Sequence, residues 1–198
     1  MSTSQTNSQK LTDVSTSKVL LFSGHMIDHP QRETARFPPA KVPSMTRLLL
    51  SQLVQLKVGE GDIAISGAAC GGDLMFVEAV LAFGMKAELF LHTDIERHIK
   101  ESLVYAGARW IELFEQVRHH PRVRIHILPP FGERPVDEAD PFIANNLWML
   151  KTALALGPDR LNGVLLWNGQ GGDAPGGTAH MKAEMEAAGA SVKVVWED

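Results

Sequence analysis

Apolar residues in this chain gather in short unbroken runs, set apart by longer stretches where they recur every three or four positions. Residues 19–22 (Val-Leu-Leu-Phe) are one such run, and it stops at Ser23-Gly24. Comparable runs at 62–66, 87–91, 123–128, 163–167 and 192–196 complete a set of about six predicted strands. Between them the period becomes helical. Ser44 is the expected N-cap of a helix carrying Leu48, Leu49, Val54 and Leu56, which Gly59 and Gly61 end. A second helix opens at Asp73, presents Leu74, Val77 and Leu81, and closes at Gly84. The stretch 94–119 is helical with a break near Gly107, 142–156 is helical up to Gly157-Pro158, and a last helix runs to about Gly189.

Continuous Val/Ile/Leu strands alternating with helices predict an α/β fold: a Rossmann-like, doubly wound, mostly parallel sheet of about six strands with helices on both faces. With 198 residues, the chain is long enough for one well-filled core that buries roughly 70% of its unfolded surface. The expected organisation is a disordered polar tail over 1–17, built mostly of Ser, Thr, Gln and Asn, followed by a single domain over 18–198. The tail holds no apolar stretch suited to a signal peptide, and no later run reaches the 18 residues that would span a bilayer, so a cytoplasmic protein without a membrane partner is expected. Cys70, the single cysteine, excludes an intramolecular disulfide and fits a reducing compartment. The net charge of −4 supplies no basic field for a polyanion, which disfavours nucleic acid as a partner.

Candidate chemistry lies at three strand exits, because ligands of open α/β sheets bind beyond the carboxyl ends of the strands. The first exit is Ser23-Gly24-His25 with the long loop 25–43. The second is Gly67-Ala68-Ala69-Cys70-Gly71-Gly72-Asp73. The third is the loop 168–178, ending Pro175-Gly176-Gly177-Thr178. In the last two, glycines lead into a helix whose first amides lack partners, a device that holds phosphate without lysine. No Lys-Ser or Lys-Thr pair follows the glycines, and no dinucleotide fingerprint follows the first strand.

Several side chains carry two readings each. Asp28 and Arg32 suit ribose hydroxyls and a phosphate, or else an ion pair ordering their loop. Asp73 suits an N-cap or a ribose contact. Glu78 and His180, each in the first turns of a helix, are candidate catalytic groups, as is Asp28. Asn168, Gly176, Gly177 and Thr178 form the expected phosphate cradle, Ser23, Gly24, Asp28 and Arg32 its sugar side, and Gly67, Gly71, Gly72 and Asp73 the remaining wall. Cys70 at a helix start is either an activated thiol or a small residue filling a tight loop. His25, Asp28 and His29 lack the matched spacing of a metal site, and neither metal nor cofactor is expected.

Together, Phe22-Ser23-Gly24, the run from Ser66 to Met75, and Pro175-Gly176-Gly177-Thr178 after a hydrophobic strand resemble the SLOG superfamily, which joins the DNA-processing protein A fold to the LOG ("lysine decarboxylase-like") proteins. The stretch from Ser23 to Asp28 with Pro30, Arg32 and Arg36-Phe37-Pro38 is similar to a SLOG subgroup attached to signalling and bacterial defence proteins. The resemblance implies a Rossmann-like sheet and a nucleotide-like small-molecule partner, such as a nucleoside monophosphate or an ADP-ribose derivative. It also implies a homodimer, as in many members. LOG hydrolases carry a glutamate three residues past the phosphate-loop threonine, where this chain has Met181, and an Arg-Lys pair on the preceding helix, where it offers Asn145 and Asn146. Binding or sensing of the nucleotide is therefore the first expectation, and nucleotide N-glycoside hydrolysis with substituted groups the alternative.

Overall fold

A computed structural model describes residues 17–170 and 176–197. Six strands, β1 (Val19–Gly24), β2 (Ile63–Ser66), β3 (Lys86–Leu91), β4 (Val123–Ile127), β5 (Leu161–Leu166) and β6 (Ser191–Val195), form one sheet in the order β4-β3-β2-β1-β5-β6. Every pairing is parallel, with Gly24 beside Leu166 and Ser66 beside Leu89 at the carboxyl ends. Parallel neighbours need crossovers, and six helices supply them: α1 (Val42–Gln55), α2 (Gly72–Ala82), α3 (Ile95–Ser102), α4 (Ala108–Arg118), α5 (Pro141–Leu156) and α6 (Thr178–Ala187).

Side-chain alternation along β1 explains why both sheet faces are covered. Leu20 and Phe22 join a large apolar cluster with Met45 and Leu49 of α1, Phe76 of α2 and Phe114 of α4. Val19 and Leu21 point the other way, into a second cluster with Met149 and Ala153 of α5 and Met181 and Met185 of α6. Phe22 stacks on Phe76 with ring centroids 4.4 Å apart. No helix among the described residues is long and apolar enough to cross a membrane.

Two local expectations need correction. Ser44 does not cap α1. A 3-10 turn, Pro39–Lys41, leads straight into Val42, and the Ser44 hydroxyl instead donates to the Lys41 carbonyl at 3.0 Å. Prolines at 39 and 43 preset the backbone torsions, so the helix starts early without a side-chain cap. Asp73 is likewise no N-cap, since α2 begins one residue before it and its cap is Gly71, at φ +94°. The break near Gly107 is present, with φ +103° there. Residues 1–16 of the predicted tail, and Gly171, Gly172, Asp173, Ala174 and Pro175 of the third loop, lie outside the described residues.

Candidate functional site

After β1 the chain winds toward β2, β3 and β4, and only later returns to lay β5 on the other side of β1. The exits of β1 and β5 therefore diverge, and a crevice opens at that reversal. A cleft of about 360 Å³ occupies this place, within the size range of small-molecule sites. Its walls come from the ends of β1 (Phe22, Ser23, Gly24), the loops after β2 and β3, α3, the first turns of α5, and the start of α6.

Gly176, Gly177 and Thr178 line the cleft. Gly176, at φ +75°, packs so tightly on the first turn of α5 that a Cβ would lie 2.7 Å from that of Phe142. Its carbonyl accepts a 2.6 Å hydrogen bond from Asn146 Nδ2. Gly177 is the N-cap of α6 and has no side chain to satisfy the amides of that helix start, whereas Asp140 caps α5 and Asp94 caps α3. Thr178 is buried, and its hydroxyl lies 3.5 Å from that of Ser23. The α6 start thus faces the cleft with hydroxyls rather than carboxylates beside it.

The expected wall is drawn from different residues. Gly67 and Asp73 line the cleft, while Gly71 and Gly72 do not. Those two glycines let the first loop lie directly on the second: a Cβ on Gly72 would come 2.9 Å from Gly24 Cα, and one on Gly71 2.7 Å from the His25 carbonyl. Gly72 N–H donates to His25 O, and Ile27 N–H to Cys70 O. Gly67 is needed because the Asp73 carboxylate crosses where its Cβ would be, at 2.5 Å.

Asp28 and Arg32 stand behind the cleft. The Asp28 carboxylate accepts from Arg36 N–H at 2.8 Å and pairs with Arg32 at 3.3 Å, which is the loop-ordering arrangement. Arg36 itself reaches the cleft wall. Asn168 also turns inward: its Oδ1 meets His25 Nε2 at 2.8 Å and accepts from Gln170 N–H at 3.1 Å, closing the start of the third loop. Neither Glu78 nor His180 lines the cleft. Glu78 is on the exposed face of α2, and His180 lies between Asn146 and Glu184. Cys70 is buried and donates to Tyr105 Oη at 3.2 Å; burial pushes its thiol up to about 11, so it fills a tight loop instead of acting as a nucleophile.

Further lining residues escaped the sequence reading: Phe90, His92, His98, Ser102 and Phe142; Asn145 and Asn146, which stand where LOG proteins carry an Arg-Lys pair, line the cleft as well. His98 and Ser102 belong to the buried stripe of α3 alongside Ile95 and Ile99. A polar pair on an otherwise apolar helical stripe was the available signal. Trp167 lines the rim and donates through Nε1 to Gln170 O at 2.6 Å.

Burial sets the site's protonation. It raises Asp73 to about 7, even though its carboxyl accepts a hydrogen bond from Ala69 N–H. Burial lowers His25 to about 4, against the opposing hydrogen bond of Asn168, and His98 to about 4, against that of the Ala68 carbonyl. His92 is lowered too, by burial and despite Glu101. The three imidazoles are neutral at physiological pH. Among the described residues no three His, Cys, Asp or Glu side chains converge as metal ligands.

No known family model matches the chain, and no curated protein matches it in sequence. Among solved structures it is similar to the X-ray structure of DNA processing protein A (DprA) from Streptococcus pneumoniae, at 13% identity and a TM-score of 0.37, over 91% of this chain. That is a distant likeness of fold. The match covers 59% of the other protein, so this chain spans under two thirds of its length.

Proposed function

We propose that the cleft binds a nucleotide-derived small molecule, with its phosphate against the start of α6. The observation that carries this reading is the placement of Gly176, Gly177 and Thr178 at the topological reversal, beside Ser23, in a cleft that Arg36 also lines, with Asp73 the only carboxylate lining the cleft among the described residues. A helix start favours an anion by about 0.3–1 kcal/mol, and each hydrogen bond to a charged oxygen adds roughly 1.5–3 kcal/mol. Two or three amides with the Thr178 hydroxyl are enough to hold one phosphate. Phe142 and Trp167 at the rim supply flat apolar surface suited to a base.

Gly177→Asp tests this reading. An aspartate suits the N-cap position, so the fold is retained, while its carboxylate takes the amides and repels phosphate. AMP or ADP-ribose at a hundred times its Kd stabilises the parent protein by about 2.7 kcal/mol, read as a thermal shift. The variant should show no such shift, and equal shifts in both proteins refute the site.

One observation favours a second reading, hydrolysis of a nucleotide N-glycosidic bond. Asp73 lines the cleft and titrates near neutrality, as a general acid or base must. It replaces Glu78, Asp28 and His180 as the candidate catalytic group. Release of free base from AMP or NAD, abolished in Asp73→Asn, is its signature.

A further inference from the structure

The cleft wall formed by the β2 and β3 exits carries two buried hydrogen-bond acceptors that nothing among the described residues satisfies. Asn145 is 7% exposed, and its Nδ2 donates to the Phe90 carbonyl at 3.0 Å. A carbonyl only accepts, so this bond fixes the amide orientation and leaves Oδ1 as the free end; that atom has no partner. His98 is 3% exposed, and its Nε2 lies 3.0 Å from the Ala68 carbonyl. The proton is therefore on Nε2, and the neutral ring presents a bare lone pair at Nδ1, also without a partner. Both residues line the cleft, and the Asp73 carboxyl lines it with them.

We propose that this wall is a specificity pole that receives a neutral, donor-bearing part of the ligand, either the exocyclic amine of a base or the hydroxyl pair of a sugar, through Asn145 Oδ1 and His98 Nδ1. The proposal rests on the nucleotide reading above and gives the ligand a direction. Donors of the α6 start and acceptors of the β2–β3 wall are separate parts of one cleft, joined along α5, where Asn146 holds the Gly176 carbonyl and the preceding Asn145 holds that of Phe90. A phosphate cannot exchange places with the donor group, because it would meet two lone pairs. An analogue lacking the donors leaves both buried acceptors unpaired and binds about tenfold or more weakly.

Calorimetric titration of the full chain with AMP, IMP, 2′,3′-dideoxyadenosine monophosphate and adenosine tests this pole. The expected result is that IMP (if the amine is read) or the dideoxy analogue (if the hydroxyls are read) binds at least about tenfold more weakly than AMP. Asn145→Leu should weaken AMP while leaving that analogue unchanged. If both analogues bind within about twofold of AMP, the pole is refuted and the phosphate reading survives. If adenosine binds as tightly as AMP and discrimination persists, the phosphate reading falls and the pole stands. Absence of binding by all four overturns both. Should Asn145→Leu not fold, the ¹⁵N resonance of His98 Nδ1 in the unmodified protein decides: it shifts on saturation with AMP if the lone pair is engaged, and a resonance that stays in place refutes the pole.

Discussion

Burial sets Asp73 and the cleft histidines titrating in opposite senses, and stability should record both. His25 and His98 are near 4 in the native state, against 6.5 unfolded. Their contributions are present above 6.5 and are lost as the pH falls toward 4. Asp73 moves the other way, from 3.8 to about 7, so its contribution is present below 3.8 and lost as the pH rises through 7. Two imidazoles outweigh one carboxyl, and the unfolding free energy should therefore rise between pH 4 and 6.5. In Asp73→Asn the opposing group is gone: the rise should be steeper and the variant more stable than the parent at pH 8. Denaturant titrations across that range check both statements, and a flat profile in the parent contradicts the assigned protonation.

Among elements, the contact between the β1 and β2 exit loops decides the shape of the crevice. Gly71 and Gly72 let the two backbones touch, with a single antiparallel bridge between Met26 and Gly71. Gly72→Ala places a methyl group against Gly24 Cα, where only backbone could yield, and should destabilise the protein by about 1–3 kcal/mol. An alanine tolerated there without loss would mean the loops are not packed as described. The Phe22–Phe76 stack fastens α2 to β1 beneath that contact. Phe76→Ala, which empties a fully buried ring site, should lose about 3–5 kcal/mol in the same assay. This second variant separates core packing from loop contact, since it leaves the glycine bridge in place.

Across the whole molecule, the sheet order predicts where the native state opens first. β1 lies between β2 and β5 with Val19, Leu20, Leu21 and Phe22 all fully buried, while β4 and β6 are edges with exposed positions such as Ile127 and Val194. Amide exchange should be slowest in β1, and faster along β4 and β6. Equal protection across all six strands would show that the molecule opens only as a unit.

Six strands, the helices between them and the three unusual strand exits were legible in the chain, because burial on both faces writes strands as unbroken apolar runs and glycine marks the turns. The place of Gly176, Gly177 and Thr178 at the start of the last helix was legible for the same reason: a helix start without a capping side chain is a local property. What each loop faces was not local. Asp28 and Asn168 looked like ligand contacts, yet Asp28 pairs within its own loop and Asn168 meets both its own loop and His25 of the first, while Glu78 and His180 fell outside the cleft, since those outcomes depend on which neighbour the fold brings within hydrogen-bonding distance. His98 lies on a helix that the sequence predicts without marking that residue, and Asn145 stood out only as standing where LOG proteins carry an Arg-Lys pair. Only the tertiary structure brings the Ala68 and Phe90 carbonyls against them, and it is that meeting, between residues 30 and 55 positions apart, that leaves one buried acceptor without a partner on each of two residues that line the cleft.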